Sequence, residues 1–207
     1  LRAEYVQRYG AVLADRGTVC LLGIQFIIAA VVGGLWLYFA AWAELDFLVS
    51  AGVLSVLFLL SGLCELVTSN ITPRLLELVA PPKAFAGEAL ILAGCLLGVG
   101  VVFTQIWMLF PFVLLVSLTG LGLLFINTVL LLNAQPESPG TALALQSVCG
   151  ELGVAGGAII GGLTLATLDS YTALYRVLGL FLLLSIGLLI LRSPADTHQI
   201  TTSIALE

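Results

Sequence analysis

The stretch PGTALALQSVCGELGVAGGAIIGG, Pro139 to Gly162, decides how the rest of the chain is read. Turned at about 100° per residue, it is a membrane-spanning helix with three faces. Gln146, Gly150, Gly153, Gly157 and Gly161 fall on one of them. Glycines four apart let a second helix backbone come close, which is how helices associate where lipid removes the hydrophobic drive. Leu145, Val148, Leu152, Ile159 and Leu163 make a bulky face suited to lipid. Between the two runs a strip of small residues, Ser147, Ala155, Ala158 and Gly162, that carries a single carboxylate, Glu151. An ionisable group inside a span is expensive and marks a functional position by default; its plainer role is a protonated or paired side chain that joins helices.

The composition agrees with a membrane chain. Of 207 residues, 60% are hydrophobic and 9% charged, and the mean hydropathy is +1.18, outside the range of a soluble domain. The net charge of -5 and the absence of a basic run exclude nucleic acid as a partner. Leu1 is not an initiator methionine, so a fragment or a processed product is expected, and no signal-peptide pattern opens the chain.

Six apolar runs of about 20 residues can each cross roughly 30 Å of hydrocarbon: Thr18–Trp42, Phe47–Ser69, Ala84–Phe103, Phe110–Asn133, Thr141–Thr167 and Tyr171–Leu191. Long, unalternating runs are helices rather than barrel strands. The expected organisation is a lead-in segment at 1–17, a six-helix bundle at 18–192 and a polar tail at 193–207. Arg2, Arg8, Arg16, Arg74, Lys83 and Arg192 then share one side and Arg176 lies near the other. The positive-inside rule makes the first side cytoplasmic and places both termini there, in a cell membrane. Trp36, Tyr38, Trp42, Trp107, Tyr171 and Tyr175 gather toward the outer boundary as an interfacial belt. Pro73, Pro81 and Pro82 break the longest inner loop. Cys20, Cys64, Cys95 and Cys149 sit in different spans and match no metal or redox spacing, so they read as small buried hydrophobes.

Two segments resemble the major facilitator superfamily of secondary transporters, in its C-terminal six-helix half. PESPGTALALQSVCGELGVAGGAIIGG, Pro136 to Gly162, is similar to the loop and eleventh helix of drug and solute exporters of that family. SNITPRLLELVAPPKAFAGEALILAG, Ser69 to Gly94, resembles the loop between the second and third helices of each half, with Arg74 and Lys83 where its basic residues stand. That loop's usual acidic residue and second glycine are missing here, and the fourth span lacks the arginine of the N-terminal half. The resemblance implies an all-α fold of three plus three helices related as inverted repeats. It also implies that the first and fourth spans line a central cavity, the second and fifth face the other half, and the third and sixth lie outside. Gln25 and Trp36 in the first span, with Thr119 and Asn127 in the fourth, are then the substrate-cavity candidates. Ser61 and Glu65 in the second span parallel Ser147 and Glu151 in the fifth, as paired repeats would.

The function expected is one half of a proton-coupled exporter of a small solute, working by alternating access. Glu65 and Glu151 are the coupling or gate carboxylates, and Gln25, Asn127 and Trp36 meet the substrate or join helices. Partners are the bilayer, the N-terminal half or a second copy of the chain, the solute and protons; no cofactor or metal is called for. Glu88, about a turn inside the third span, reads as a complement to the positive helix start. An intramembrane protease needs a histidine within the membrane, and the sole histidine, His198, lies in the tail. A non-transporting scaffold or a self-associating six-span half is the alternative.

Overall fold

A computed structural model of the chain describes residues 9–191 apart from Ala11. The lead-in arginines Arg2 and Arg8, Arg192 and the tail with His198 lie outside the described residues. Within them the regular structure is helical: α1 Arg16–Phe47, α2 Ala51–Leu78, α3 Pro81–Leu97, α4 Leu109–Ala134, α5 Pro139–Leu168 and α6 Tyr171–Leu191, with a short 3-10 turn, Ile106–Met108, before α4. Five helices, all but α3, are long and apolar enough to cross a membrane, which makes this an all-α, multi-pass membrane protein. α3 has 17 residues.

Local chemistry sets the helix ends. The Asp15 side chain accepts from the Thr18 amide to start α1, and Ser50 does the same for α2 through Val53. α3 and α5 both open on proline, whose missing N–H is no loss in a first turn. α1 and α5 close on left-handed residues, Leu48 at φ 54 and Asp169 at φ 45.

Three expectations are corrected. The longest inner loop disappears: α2 continues through Pro73 to Leu78, Pro81 and Pro82 begin α3, and only Val79 and Ala80 connect the two. Arg74 therefore lies on α2 and Lys83 on the first turn of α3, both exposed, and neither is a loop residue. The third apolar run is not helical to Phe103. It leaves the helix after Leu97 into a turn where Gly100 takes φ +79, with an isolated bridge between Val99 and Phe103. Hydropathy misses this because Val99 and Phe103 are buried just as helix residues would be. Finally, the aromatic belt is split. Trp107 is 75% exposed, but Trp42 and Tyr175 are buried. Their rings meet edge-on with centroids 4.8 Å apart, in a cluster that also holds Phe39, Phe47, Phe103 and Phe112.

The helices pack in two layers. One is a row in contact order α2, α4, α1, α5; behind it α3 lies on α4, α6 lies on α1, and α3 and α6 touch each other. Exchanging the first three helices with the last three turns the α1–α5 contact into α4–α2 and the α1–α6 contact into α4–α3. It returns α1–α4 and α3–α6 to themselves, while the lesser α4–α5 contact has no comparable α1–α2 counterpart. The row is unevenly covered. In the most apolar window of each helix, 67% of residues are buried in α1 and 56% in α4, but 22% in α2 and in α5. The ends of the row are its open sides.

Candidate functional site

α1 and α5 make the closest contact of the bundle. A Cβ on Gly157 would overlap the Ala30 carbonyl and stand 3.0 Å from the Gly34 amide nitrogen. One on Gly153 would overlap the Phe26 carbonyl and stand 2.8 Å from the Ala29 Cβ, and one on Gly161 would collide with the Tyr38 ring. From the other side, a Cβ on Gly34 would stand 3.2 Å from the Gly157 carbonyl oxygen. The Tyr38 hydroxyl fastens this seam by donating to the Ala158 carbonyl at 2.8 Å. The glycine face thus meets α1 of the same bundle. Val148, Leu152, Ile159 and Leu163 lie on the exposed side, whereas Leu145 is half-buried against the core.

At one end of that seam sits a cluster of buried amides. Asn127 Nδ2 on α4 donates to Gln25 Oε1 on α1 at 3.0 Å and to the Leu21 carbonyl at 3.3 Å. Gln146 Nε2 on α5 donates to the same Gln25 oxygen at 3.1 Å and to Thr128 Oγ1 at 2.8 Å, and Thr128 donates on to the Leu124 carbonyl. Gly150 makes room for Gln25, since an added Cβ would lie 3.3 Å from its Nε2. Asn127 Oδ1 is buried with no partner. A buried acceptor left open is a position where a polar ligand or water gains a full hydrogen bond.

The candidates named from sequence fall into three groups. Gln25 and Asn127 are brought together. Thr119 and Trp36 do not join them: Thr119 turns back to the Leu115 carbonyl at 2.7 Å, and Trp36 packs against Phe39 and Phe58 further along α1. Glu65 and Glu151 form a third group, exposed on the open helices α2 and α5. The Ser61/Ser147 parallel is one residue out of step with burial. Ser61 is buried and accepts from Ser117 Oγ of α4 at 2.9 Å, whereas Ser147 is exposed and its neighbour Gln146 takes the inward position. Sequence reading passed over Gln146 and Thr128 as cluster members. The usable signal was Gln146 lying on the glycine face one turn before Gly150.

A second polar chain closes the end of the bundle where α1 begins. Gln135 Nε2, just past α4, donates to Thr18 Oγ1 at 2.8 Å, Thr18 Oγ1 donates to the Asp15 carboxylate, and Ser138 donates to Gln135 Oε1 at 3.3 Å. Burial pushes the Asp15 carboxyl up, but hydrogen bonds from the Thr18 hydroxyl, the Thr18 and Gly17 amides and Gln135 outweigh it and hold it below its ordinary 3.8. Beside this chain is an open cavity of about 560 Å³ lined by Val12, Gln135, Glu137, Ser138 and the first residues of α5. The far end holds a smaller one, about 310 Å³, between Trp42, Asp46, Phe47, Phe103 and Thr172. Among the described residues no three His, Cys, Asp or Glu side chains gather as metal ligands would. Comparison with protein-family models, curated proteins and solved structures gives no match to this chain.

Proposed function

We propose that the chain is one six-helix half of a secondary transporter that moves a small solute across a cell membrane by alternating access, driven by protons and directed outward. The observation that carries this reading is the exchange pattern of the helix contacts. The two triplets are threaded through each other so that α1 and α4 pair at the centre while α2 and α5 are left open at the ends. Six-helix halves of such transporters nest two three-helix repeats, and the family that the segments Pro136–Gly162 and Ser69–Gly94 resemble implies this placement of the first, second, fourth and fifth helices.

The open ends support a missing partner. Glu65 and Glu151 stand exposed on α2 and α5 among exposed Leu63, Leu66, Val148 and Leu152. A carboxylate directed into hydrocarbon is expensive, so these faces are covered by protein, either the other half of the transporter or a second copy. The Gln25–Asn127–Gln146 cluster belongs to the central pair and α5, and its open acceptor gives a polar solute a hydrogen-bond site. With no nucleophile–base pair in the amide cluster, the reading is of a carrier and not an enzyme.

The test is efflux from proteoliposomes under an imposed pH gradient. Glu151→Gln in the complete transporter keeps the fold and impairs proton-driven transport, and Glu65→Gln does so more mildly. Wild-type rate with unchanged pH dependence in both variants would remove the coupling role from these carboxylates. Disulfide trapping at Glu151→Cys, in a background without native cysteines, separates the two covers: a homodimer band identifies a second copy.

A further inference from the structure

One half-buried carboxylate, Glu88, is used by neither the amide cluster nor the open faces. Glu88 lies on α3, about 10 Å along the helix from Pro81 at 1.5 Å per residue. Its Oε2 is buried and has no hydrogen-bond partner, so that oxygen takes no bond from the helix start it was expected to complement. The side chain occupies a notch in α4 made by Gly122. A Cβ there would overlap Oε2 and stand 2.6 Å from Cδ and 2.7 Å from Oε1. The exchanged contact, α1 on α6, also uses a glycine, but a Cβ added to Gly23 would stand 3.6 Å from the apolar Leu188 Cδ1.

Among the described residues the surroundings supply no counter-charge. α4 carries no ionisable residue between Leu109 and Ala134. α6 offers Tyr171, Tyr175 and Arg176 near its start, where Arg176 Nη2 is engaged with the Val99 carbonyl at 3.2 Å. α2 contributes Cys64, Glu65, Arg74 and Glu77, the last three exposed; α3 itself adds exposed Lys83 and, two turns on, Cys95. None of these groups hydrogen-bonds Glu88 Oε2. A hard metal cation would need several oxygen ligands at once, and no such cluster is present among the described residues. An unpaired charge in an apolar contact is expensive, and binding a proton removes that cost.

The geometry points to Glu88 as a proton-binding site of the α3–α4 interface, occupied while the carboxyl sits in the Gly122 notch and emptied when α3 moves off α4 and water reaches it. Its use as a coupling site rests on the proton-driven reading above; the site itself does not.

Infrared difference spectroscopy of the full chain in lipid tests it. At neutral pH the wild type shows the carbonyl band of a protonated carboxylic acid, and Glu88→Gln loses that band while Glu65→Gln and Glu151→Gln keep it. If the band is absent, or survives Glu88→Gln, the site is overturned. Should Glu88→Gln fail to fold, the wild type alone decides through a hydrophobic carbodiimide, which adds a carboxylic acid O–H across its C=N bond and rearranges to a stable acylurea. Peptide mapping that finds the adduct on Glu88, declining as pH rises, supports the site; an unmodified Glu88 overturns it. Neither readout involves transport, so their failure is distinct from failure of the efflux assay.

Discussion

Gly157 of α5 and Ala30 of α1 meet backbone to backbone, with no space for a side chain between them. Everything else about the α1–α5 seam follows from that approach: its run of small residues, the Tyr38 hydrogen bond beside it and the buried amides at its end.

Gly157→Leu cannot be absorbed by a rotamer change, because the obstacle is a carbonyl. It lowers thermal stability in detergent by at least the upper end of ordinary overpacking, about 3 kcal/mol. Ile159→Leu, at a position 62% exposed, stays within about 0.5 kcal/mol of wild type. Equal melting of the two variants would place the faces of α5 wrongly.

The amide cluster is a coupled unit. Gln25→Leu leaves the Asn127 and Gln146 amides without their shared acceptor, and Asn127→Leu removes one donor of the pair. A double-mutant cycle between Gln25 and Asn127 gives a favourable coupling of about 0.6–2 kcal/mol, the range for hydrogen bonds between membrane helices. Additive losses would mean that the two side chains act separately.

Gly100→Ala tests where the third apolar run stops being helical. The substitution meets a positive φ and places a Cβ 2.6 Å from Thr172 Cγ2. A loss of about 1–3 kcal/mol in unfolding free energy is expected. Gly62→Ala, inside α2 with open space around it, is neutral or slightly stabilising by helix propensity. Tolerance of alanine at 100 would indicate helix through this turn.

Asp15 gives the start of α1 a pH dependence. Its carboxyl is held below 3.8 in the folded protein, so its contribution is complete above that value and is lost as pH falls through the lowered folded one. Wild type therefore loses stability on acidification in this range more steeply than Asp15→Asn, which keeps a cap without the titration. Asp15→Ala loses about 1 kcal/mol already at neutral pH. Parallel acid titrations of melting temperature for wild type and Asp15→Asn would contradict this.

Sequence period alone carried much of α5. Residues four apart with no side chain must lie on one stripe, and that stripe is the one buried against α1. Gln25 and Asn127 were visible as amides in apolar spans, although their junction through Gln146 depended on a register between helices that no single-helix pattern contains. The end of α3 was hidden for a different reason. Val99 and Phe103 are apolar because they are buried, and burial serves a turn as well as a helix. Pro73, Pro81 and Pro82 suggested a loop, yet proline in a first turn or on an exposed helix side leaves few backbone groups stranded. Trp42 and Tyr175 carried an interfacial composition but meet edge-on inside the bundle, a pairing set by tertiary packing.

The helices differ in reach. At 1.5 Å per residue, the 32 residues of α1 and 30 of α5 extend about 48 and 45 Å, whereas the 17 of α3 extend about 26 Å. Because α3 packs on α4 and α4 on α1, the bundle sets a short helix among long ones. In a hydrocarbon layer of about 30 Å, α1 and α5 must lean or emerge into the headgroups. Membrane thickness therefore acts on this bundle as a torque that sets the tilt of α1 and α5.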